Sequence, residues 1–275
     1  MSARHDVPMT VSVLMCPPTH FTVSYRINPW MRPEQPTDTA LALAQWRNLH
    51  AAYRDLGFDV ALIDPEPGLP DMVYAANGGT VIDGIALTAR FRHDERAAEG
   101  PAYAARFRSA GLDVREAEHV NEGEGDLLTV GGTIYAGTGF RTDPRAHAEA
   151  ARVFGREVVG LRLIDPRYYH LDTAFAVLDP AGGPGAVAYL PSAFDDASQE
   201  ILRFRFPDAV IVGEPDAAVL GLNCFSDGRT VVHAPQAEKF AAELAERGFG
   251  TVGVDTSELR RGGGGIKCAT LEVRR

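Results

Sequence analysis

Five stretches of the sequence repeat one order, a predicted helix followed at once by an apolar strand, and this repeat restricts the folds open to the chain. The first helix is predicted in DTALALAQWRNLHAAYRDLG, where Trp46, Leu49 and Tyr53 recur at helical spacing. Asp38 can cap the start of this helix, and Gly57 can end it in the left-handed conformation. The apolar run FDVALID then supplies the strand.

Four further units follow the same order. They are PAYAARFRSAG with LDVREAE, PRAHAEAARVFG with REVVGLRL, DDASQEILRFRF with PDAVIVGE, and QAEKFAAELAERG with FGTVGVD. Pairs of short apolar strands with Gly or Asp turns lie between them, as in GGTVIDGIALTAR. One such unit cannot bury both faces of its sheet, so we predict a closed ring of five α/β units, with strands inside and helices outside. The alternative, a doubly wound parallel sheet, requires a Gly-rich turn after the first strand, where the chain has MCPPTHF.

The composition narrows the classes of partner. A net charge of -10 argues against binding to nucleic acid, because no basic stripe is available for phosphate contacts. No apolar run reaches the roughly 18 to 20 residues that a membrane span needs, and the N-terminal segment lacks a long apolar signal region, so we expect a cytoplasmic protein. The cysteines Cys16, Cys224 and Cys268 show neither a disulfide framework nor zinc spacing. We therefore expect a small-molecule ligand and neither metal nor organic cofactor; a homo-oligomer is compatible with the sequence.

The loops at one end of the inner strands would meet at the centre of such a ring, and they carry polar residues from every unit. Their candidate functional residues are Asn28, Asp71, Asn77, Arg92, Arg96, Glu122, Glu124, Asp126, Arg141, His170, Asp172, Cys224 and Cys268. In the last loop, four glycines at 262–265 lead directly into Lys267 and Cys268. Glycine allows close backbone approach to a ligand, so Cys268 is either an accessible nucleophile or a core residue after a flexible loop.

Six motifs in order, PDMVYAAN, RFRHDER, NEGEGD, AGTGFR, RLIDPRYYHLDT and GGGGIKCATL, resemble the guanidino-group-modifying superfamily, or penteins. This superfamily includes arginine deiminases, amidinotransferases, dimethylarginine dimethylaminohydrolases and arginine dihydrolases. The resemblance spans nearly the whole chain. It implies a five-bladed α/β propeller with pseudo-fivefold repeats around a central active site, formed by residues 1–275 as a single catalytic domain.

The resemblance also implies roles for the motif residues. Cys268 matches the nucleophile, His170 the general acid and base, and Asp172 a carboxylate that binds the guanidinium. Arg96 and Arg141 match arginines that hold the carboxylate of the amino acid.

The acidic loop leaves a choice between two carboxylates. The spacing of Glu122 and Asp126 fits the dihydrolase pattern, and Glu122 is favoured as the residue that orients His170, with Glu124 as the alternative. Asp126 is a further substrate-binding candidate, as are Asn28 and Asp71 in the earlier loops.

These residue types suit attack on a guanidinium carbon, which is a poor electrophile and needs an anionic, polarisable nucleophile such as the Cys268 thiolate. His170 can protonate the leaving nitrogen and then deprotonate the water that attacks the covalent thiouronium intermediate. A protein of another class, a catalytically silent arginine-binding regulator, would retain Arg96 and Arg141 but would not need the set of Cys268, His170 and Asp172.

Asn77 distinguishes among members of the superfamily. Dimethylargininases and deiminases usually place an acidic residue there, whereas arginine dihydrolases carry asparagine in a similar context. Because an amide can donate as well as accept hydrogen bonds, Asn77 could retain a ureido intermediate for a second hydrolysis. The sequence therefore favours an arginine dihydrolase, which converts L-arginine to L-ornithine, carbon dioxide and ammonia. Dimethylarginine hydrolysis to citrulline and methylamines is the main alternative, and amidino transfer is a third.

Replacement of Cys268 by serine should abolish turnover while the fold survives, because a hydroxyl is a far weaker nucleophile than a thiolate at neutral pH. Ammonia release from guanidino substrates, measured beside circular dichroism, tests this expectation. A folded Cys268→Ser variant with activity near that of the native protein would contradict the mechanism.

Overall fold

The computed structural model describes residues 11–275, and the strands in that part of the chain form five sheets of three strands each. Residues 1–10 of the predicted domain lie outside the described residues. The strands are β1 (Ser12–Met15), β2 (Asp59–Leu62), β3 (Gly79–Ile82), β4 (Ile85–Thr88), β5 (Asp113–Arg115), β6 (Leu127–Val130), β7 (Thr133–Thr138), β8 (Glu157–Arg162), β9 (Phe175–Val177), β10 (Val187–Tyr189), β11 (Val210–Ile211), β12 (Phe225–Ser226), β13 (Thr230–His233), β14 (Gly250–Gly253) and β15 (Leu271–Glu272). The helices are α1 (Thr39–Asp55), α2 (Glu99–Ser109), α3 (Arg145–Phe154), α4 (Asp196–Arg205), α5 (Glu214–Ala217), α6 (Glu238–Glu246) and α7 (Ser257–Arg260).

Every sheet has the same topology, with a middle strand that pairs antiparallel on one side and parallel on the other. In the sheet β3-β4-β5, Thr80 lies opposite Leu87 in the antiparallel pair and Ala86 lies opposite Val114 in the parallel pair. A helix separates the two parallel strands in each sheet. The five predicted helix-and-strand units are therefore present, and the doubly wound alternative, which requires one continuous sheet, is not the architecture of the described residues.

The two ends of the described chain meet in one sheet, of order β15-β1-β2. β15 pairs antiparallel with β1, and Leu271 lies opposite Leu14. Beyond β15, Arg274 accepts a backbone hydrogen bond from Gly84 of the next unit at 3.0 Å. The C-terminal segment thereby completes the first unit and joins it to the second.

The local signals for the first helix agree with the structure. The Asp38 side chain accepts a hydrogen bond from the backbone N–H of Leu41 at 2.9 Å, and Gly57 has a φ of +81°. Trp46 and Tyr53 are buried on its inner face. The short helices α5 and α7 were not predicted, because four residues carry too little periodicity to be recognised. No helix in residues 11–275 has the length and apolar character needed to cross a membrane.

The strands nearest the centre of the ring are each preceded by a tight turn. Single turns of 3-10 helix at Ala75–Gly78, Gly123–Gly125 and Leu171–Thr173 lead into β3, β6 and β9. Turns that contain Asn223 and Cys268 lead into β12 and β15. Because these turns lie at equivalent ends of neighbouring strands, the fold brings their side chains together.

Glu124 connects the C-terminal segment to the third unit. Its Oε2 accepts hydrogen bonds from Nζ of Lys267 at 2.7 Å and from the backbone N–H of Glu272 at 2.9 Å. Its Oε1 accepts from Nη1 of Arg274 at 2.7 Å. Glu124 is fully buried, so these contacts compensate for the cost of removing its charge from water.

Replacing Glu124 by alanine should lower the free energy of unfolding by about 3 kcal/mol, because the buried ammonium of Lys267 would lose its shorter ion pair and keep only the one with Glu272 at 3.6 Å. Urea denaturation measures this loss. The matched control is Glu116→Ala, which breaks an exposed ion pair with Arg108 and should cost less than about 1 kcal/mol. Equal losses in the two variants would show that the Glu124 contacts do not secure the C-terminal segment.

Candidate active site

Cys268 and Asp172 lie in contact at the centre of the ring. The Cys268 thiol donates to Oδ2 of Asp172 at 3.1 Å, and Nδ2 of Asn223 donates to Sγ at 3.1 Å. Cys268 is buried, with 2% of its surface exposed. Its surroundings are not purely apolar, because both of these partners are polar.

Burial and the neighbouring carboxylate determine the protonation of this pair. Burial raises the pKa of Cys268 well above its usual value, and the charge of Asp172 together with its hydrogen bond raises it further. Burial also raises the pKa of Asp172 to about 6, although the charge of His170 and the Cys268 hydrogen bond act in the opposite direction. In this state Cys268 is a thiol, and a cation placed beside the pair would favour both ionised forms.

Glu122 holds the imidazole of His170. Its Oε2 lies 2.8 Å from Nε2 of His170 and also accepts a hydrogen bond from Nη1 of Arg141 at 2.8 Å. Burial alone would raise the pKa of Glu122, but the charge of Arg141 and the His170 contact bring it well below its usual value. Glu124, the alternative, bonds to Lys267 instead.

The difference between the two glutamates arises in the turn that carries them. Gly123 has a φ of +56°, and a Cβ at this position would lie 2.5 Å from the carbonyl oxygen of Ala76. The tight turn directs Glu122 toward His170 and Glu124 toward the C-terminal segment.

Arg96 lies in a second buried network. Its Nε and Nη2 donate to the two carboxylate oxygens of Glu99 at 2.9 and 2.8 Å, and its Nη1 donates to Oδ1 of Asn77 at 2.8 Å. Asp71 lies 3.9 Å from Nε of Arg96 and accepts a hydrogen bond from the Tyr25 hydroxyl at 2.9 Å. Burial raises the pKa of Asp71, although the charge of Arg96 opposes the shift.

Three polar atoms of the candidate site are buried without a hydrogen-bond partner. They are Nδ1 of His170, Oδ1 of Asp172 and Oδ1 of Asp71. A buried polar atom of this kind is costly to leave unsatisfied, so a ligand with matching donors would gain from binding here. Within residues 11–275, no group of three or more His, Cys, Asp and Glu side chains could hold a metal ion.

The glycine run before Cys268 is packed against the site and is not an open loop. A Cβ on Gly264 would lie 2.5 Å from the ring of Tyr74. Gly263, with a φ of +94°, approaches Asn28 and the hydroxyl of Tyr169 so closely that a Cβ would lie within 2.8 Å of both. Glycine is required here because a side chain at either position would collide with these neighbours.

Comparison with known proteins identifies the family. No protein-family model matches the chain. The N(G),N(G)-dimethylarginine dimethylaminohydrolase of Mycobacterium tuberculosis is 54% identical over 272 residues, which cover 99% of this chain and 89% of that protein. This chain belongs to the guanidino-group-modifying superfamily.

Two cyanobacterial comparisons support the same superfamily. The bifunctional arginine dihydrolase/ornithine cyclodeaminase ArgZ of Synechocystis is 37% identical over 270 residues, which cover 96% of this chain but only 38% of that longer protein. The solved N-terminal domain of ArgZ, a cysteine-to-serine variant bound to substrate, matches with a TM-score of 0.91 and 36% identity over 96% of this chain and 98% of that chain. The predicted pentein fold is therefore confirmed.

The structure places the other predicted residues of this pentein around the site. Asp126 accepts hydrogen bonds from the backbone N–H of Leu171 at 3.0 Å and the hydroxyl of Thr142 at 2.7 Å. Asn28 donates to the carbonyl oxygen of Gly262 at 3.0 Å and accepts from the backbone N–H of Trp30 at 2.9 Å. These contacts favour positioning roles for Asp126 and Asn28, since they tie the loops that carry His170 and Cys268.

Sequence reasoning did not identify Glu99 or Asn223. The i,i+3 spacing of Arg96 and Glu99 is a signal that could have revealed their ion pair. Cys224, one of the loop candidates, is a buried free thiol, as is Cys16. It is the preceding residue, Asn223, that contacts Cys268.

The raised pKa of Asp172 predicts how the free energy of unfolding depends on pH. The folded-state pKa of Asp172 is about 6, above the usual 3.8, so ionisation of this carboxyl lowers the free energy of unfolding. The loss is complete above about pH 6 and is absent below about pH 4. Asp172→Asn should therefore increase the free energy of unfolding at pH 8 by about 3 kcal/mol and should have little effect at pH 4. Urea denaturation at both values tests this.

The control is Asp59→Asn, at an exposed position, which should change stability little at either pH. An Asp172→Asn variant that is less stable than the native protein at pH 8 would contradict the electrostatic interpretation of this site.

Proposed function

We propose that this chain is a cysteine-dependent arginine dihydrolase, which converts L-arginine to L-ornithine, carbon dioxide and two ammonia. Membership of the superfamily, with two relatives named as hydrolases of arginine compounds, gives the reaction class: hydrolysis of C–N bonds in linear amidines. The observation that supports this substrate class best is the set of buried, unpartnered atoms on His170, Asp172 and Asp71. A guanidinium presents the positive charge and the N–H donors that the two carboxylates lack.

Substrate binding starts the proposed reaction. Asp172 binds the guanidinium by charge-assisted hydrogen bonds, with Asp71 as a second carboxylate on the substrate. The cation then lies beside the Cys268 thiol and lowers its pKa, so that the thiol proton passes to Nδ1 of His170 and the thiolate attacks the guanidinium carbon. A new C–S bond forms, a C–N bond breaks, and ammonia departs from a covalent thiouronium intermediate.

His170 transfers the protons in both half-reactions. Its Nε2 is occupied by Glu122, whereas Nδ1 is buried and unpartnered, which leaves Nδ1 for proton transfer. Nδ1 protonates the leaving nitrogen and then removes a proton from the attacking water, which releases Cys268. Arg141 helps to keep Glu122 ionised, so that Glu122 holds Nε2 of His170 while Nδ1 transfers the protons.

Asn77 supports the second hydrolysis. Nη1 of Arg96 donates to Oδ1 of Asn77 at 2.8 Å, and Nδ2 of Asn77 donates one N–H to the carbonyl oxygen of Glu122 at 3.4 Å. The second N–H of Nδ2 is the proposed donor to a ureido oxygen, which a carboxylate at this position would repel. Citrulline formed in the first step would then remain bound for a second attack by Cys268.

Arg96 and Arg141 are proposed to hold the substrate carboxylate. Both guanidinium groups already donate to buried carboxylates, Arg96 to Glu99 and Arg141 to Glu122, so each would share its donors with the substrate.

Dimethylarginine hydrolysis is the second candidate, favoured by the 54% identity to the mycobacterial dimethylarginine dimethylaminohydrolase. This reaction uses the same nucleophile and proton transfers but releases a methylamine and stops at citrulline.

We also propose that residues 1–275 form one catalytic domain that acts in the cytoplasm. The pairing of β1 with β15 at opposite ends of the described chain supports the first proposal, and the three free thiols support the second. A homo-oligomeric assembly stays a prediction from the sequence.

The native protein on arginine should yield ornithine with about two ammonia per substrate, and Asn77→Ser should release citrulline with about one. The first step survives in the variant because Cys268, His170 and Asp172 remain, whereas the donor for the ureido oxygen is lost. Chromatography of the amino-acid products beside an ammonia count tests both statements.

The control is Gln236→Ser, which removes an exposed amide and should leave the product ratio unchanged. A native protein that ignores arginine but releases dimethylamine from asymmetric dimethylarginine would replace the dihydrolase with the second candidate.

A further inference from the structure

The side chain of Asn223 makes four hydrogen bonds in the candidate site, and none of the six superfamily motifs includes this residue. Its Oδ1 accepts from the backbone N–H groups of Gly265 at 3.0 Å and Cys268 at 3.1 Å. Its Nδ2 donates to the carbonyl oxygen of Asp172 at 3.1 Å and to Sγ of Cys268 at 3.1 Å. The side chain is almost completely buried.

These contacts fix the orientation of the amide. Two backbone donors face one end of the Asn223 side chain, and a carbonyl oxygen faces the other. A flipped amide would place its donors against the N–H groups of Gly265 and Cys268, so the N–H that faces sulfur is determined by the backbone.

The hydrogen bond from Nδ2 of Asn223 to sulfur is weak while Cys268 is a thiol. The thiol proton already has an acceptor in Asp172, and neutral sulfur is a weak acceptor. Once the proton leaves, the same N–H makes a charge-assisted hydrogen bond to the thiolate, which is considerably stronger. The contact therefore gains most of its strength in the reactive state.

We infer that Asn223 is a catalytic residue, whose amide N–H stabilises the thiolate of Cys268 before attack and again when the thiouronium releases it. This inference rests on the proposed role of Cys268 as nucleophile. Asn223 opposes the effect of Asp172, whose negative charge disfavours a neighbouring thiolate. Its bond and that of the Gly265 backbone both lower the pKa of Cys268, although burial and Asp172 outweigh them.

Alkylation of Cys268 by iodoacetamide across a range of pH tests the inference without any substrate, with mass spectrometry of the Cys268 peptide to separate it from Cys16 and Cys224. Asn223→Ala removes the donor without adding charge. Its apparent thiol pKa should lie above that of the native protein by about one to two units, the size expected for a hydrogen bond to a charged group. On the preferred guanidino substrate, kcat should fall by about 10 to 100-fold, with a much smaller change in KM.

The matched control is Gln45→Ala, which removes another buried amide with contacts to Asp255, Ser257 and the backbone of Glu258. This variant should lose stability but retain the native alkylation profile. An unchanged profile in folded Asn223→Ala would overturn the inference and leave Asn223 with a purely structural role.

If Asn223→Ala does not fold, Asn223→Leu decides, because it fills a similar volume and has neither a donor for sulfur nor a charge that would itself shift the thiol pKa. A rise in thiol pKa and a loss of kcat are again expected, and their absence would overturn the inference. A native protein that turns over no guanidino compound, yet shows the expected alkylation shift in these variants, would contradict the proposed function alone.

Discussion

The candidate site depends on the antiparallel pairing of β15 with β1, which completes the first unit of the ring. This pairing fixes the turn that carries Cys268, so that its thiol meets Asp172, 96 residues earlier in the chain. The buried contacts of Glu124 with Lys267 and Arg274 secure the same segment from the side of the third unit. A buried charge has a large desolvation cost, so these ion pairs favour one arrangement of the segment over others.

The electrostatics of the site are organised for a cation. Asp172 and Asp71 are both buried, and each has one oxygen without a hydrogen-bond partner. Burial raises the pKa of both carboxylates, so their ionised forms are costly in the folded protein. In the proposed reaction a guanidinium would offset this cost and favour the Cys268 thiolate at the same time, so that substrate binding and nucleophile activation would share one physical cause.

Asn77 and Asn223 occupy similar positions in two units of the fold, but their amide nitrogens have different partners. Each amide precedes an inner strand by a similar distance, and each has its oxygen held by donors of the protein. The nitrogen of Asn223 is directed to sulfur, whereas that of Asn77 lies beside the loop of Glu122. An amide held in this way is a donor of fixed direction and no charge, which suits anionic or ureido oxygen and sulfur acceptors equally.

The five helix-and-strand units follow from local sequence, because amphipathic periodicity and helix caps act over a few residues. Asp38 and Gly57 begin and end the first helix as their chemistry dictates. The motifs also marked Cys268, His170 and Asp172. The contact of His170 with Glu122 rather than Glu124 depends on long-range packing, since the two glutamates lie in one turn and differ in what packs against them. The burial of Cys268 and the contact of Asn223 with its sulfur likewise come from residues more than 40 positions apart, whose distance is set by ring closure and not by local pattern.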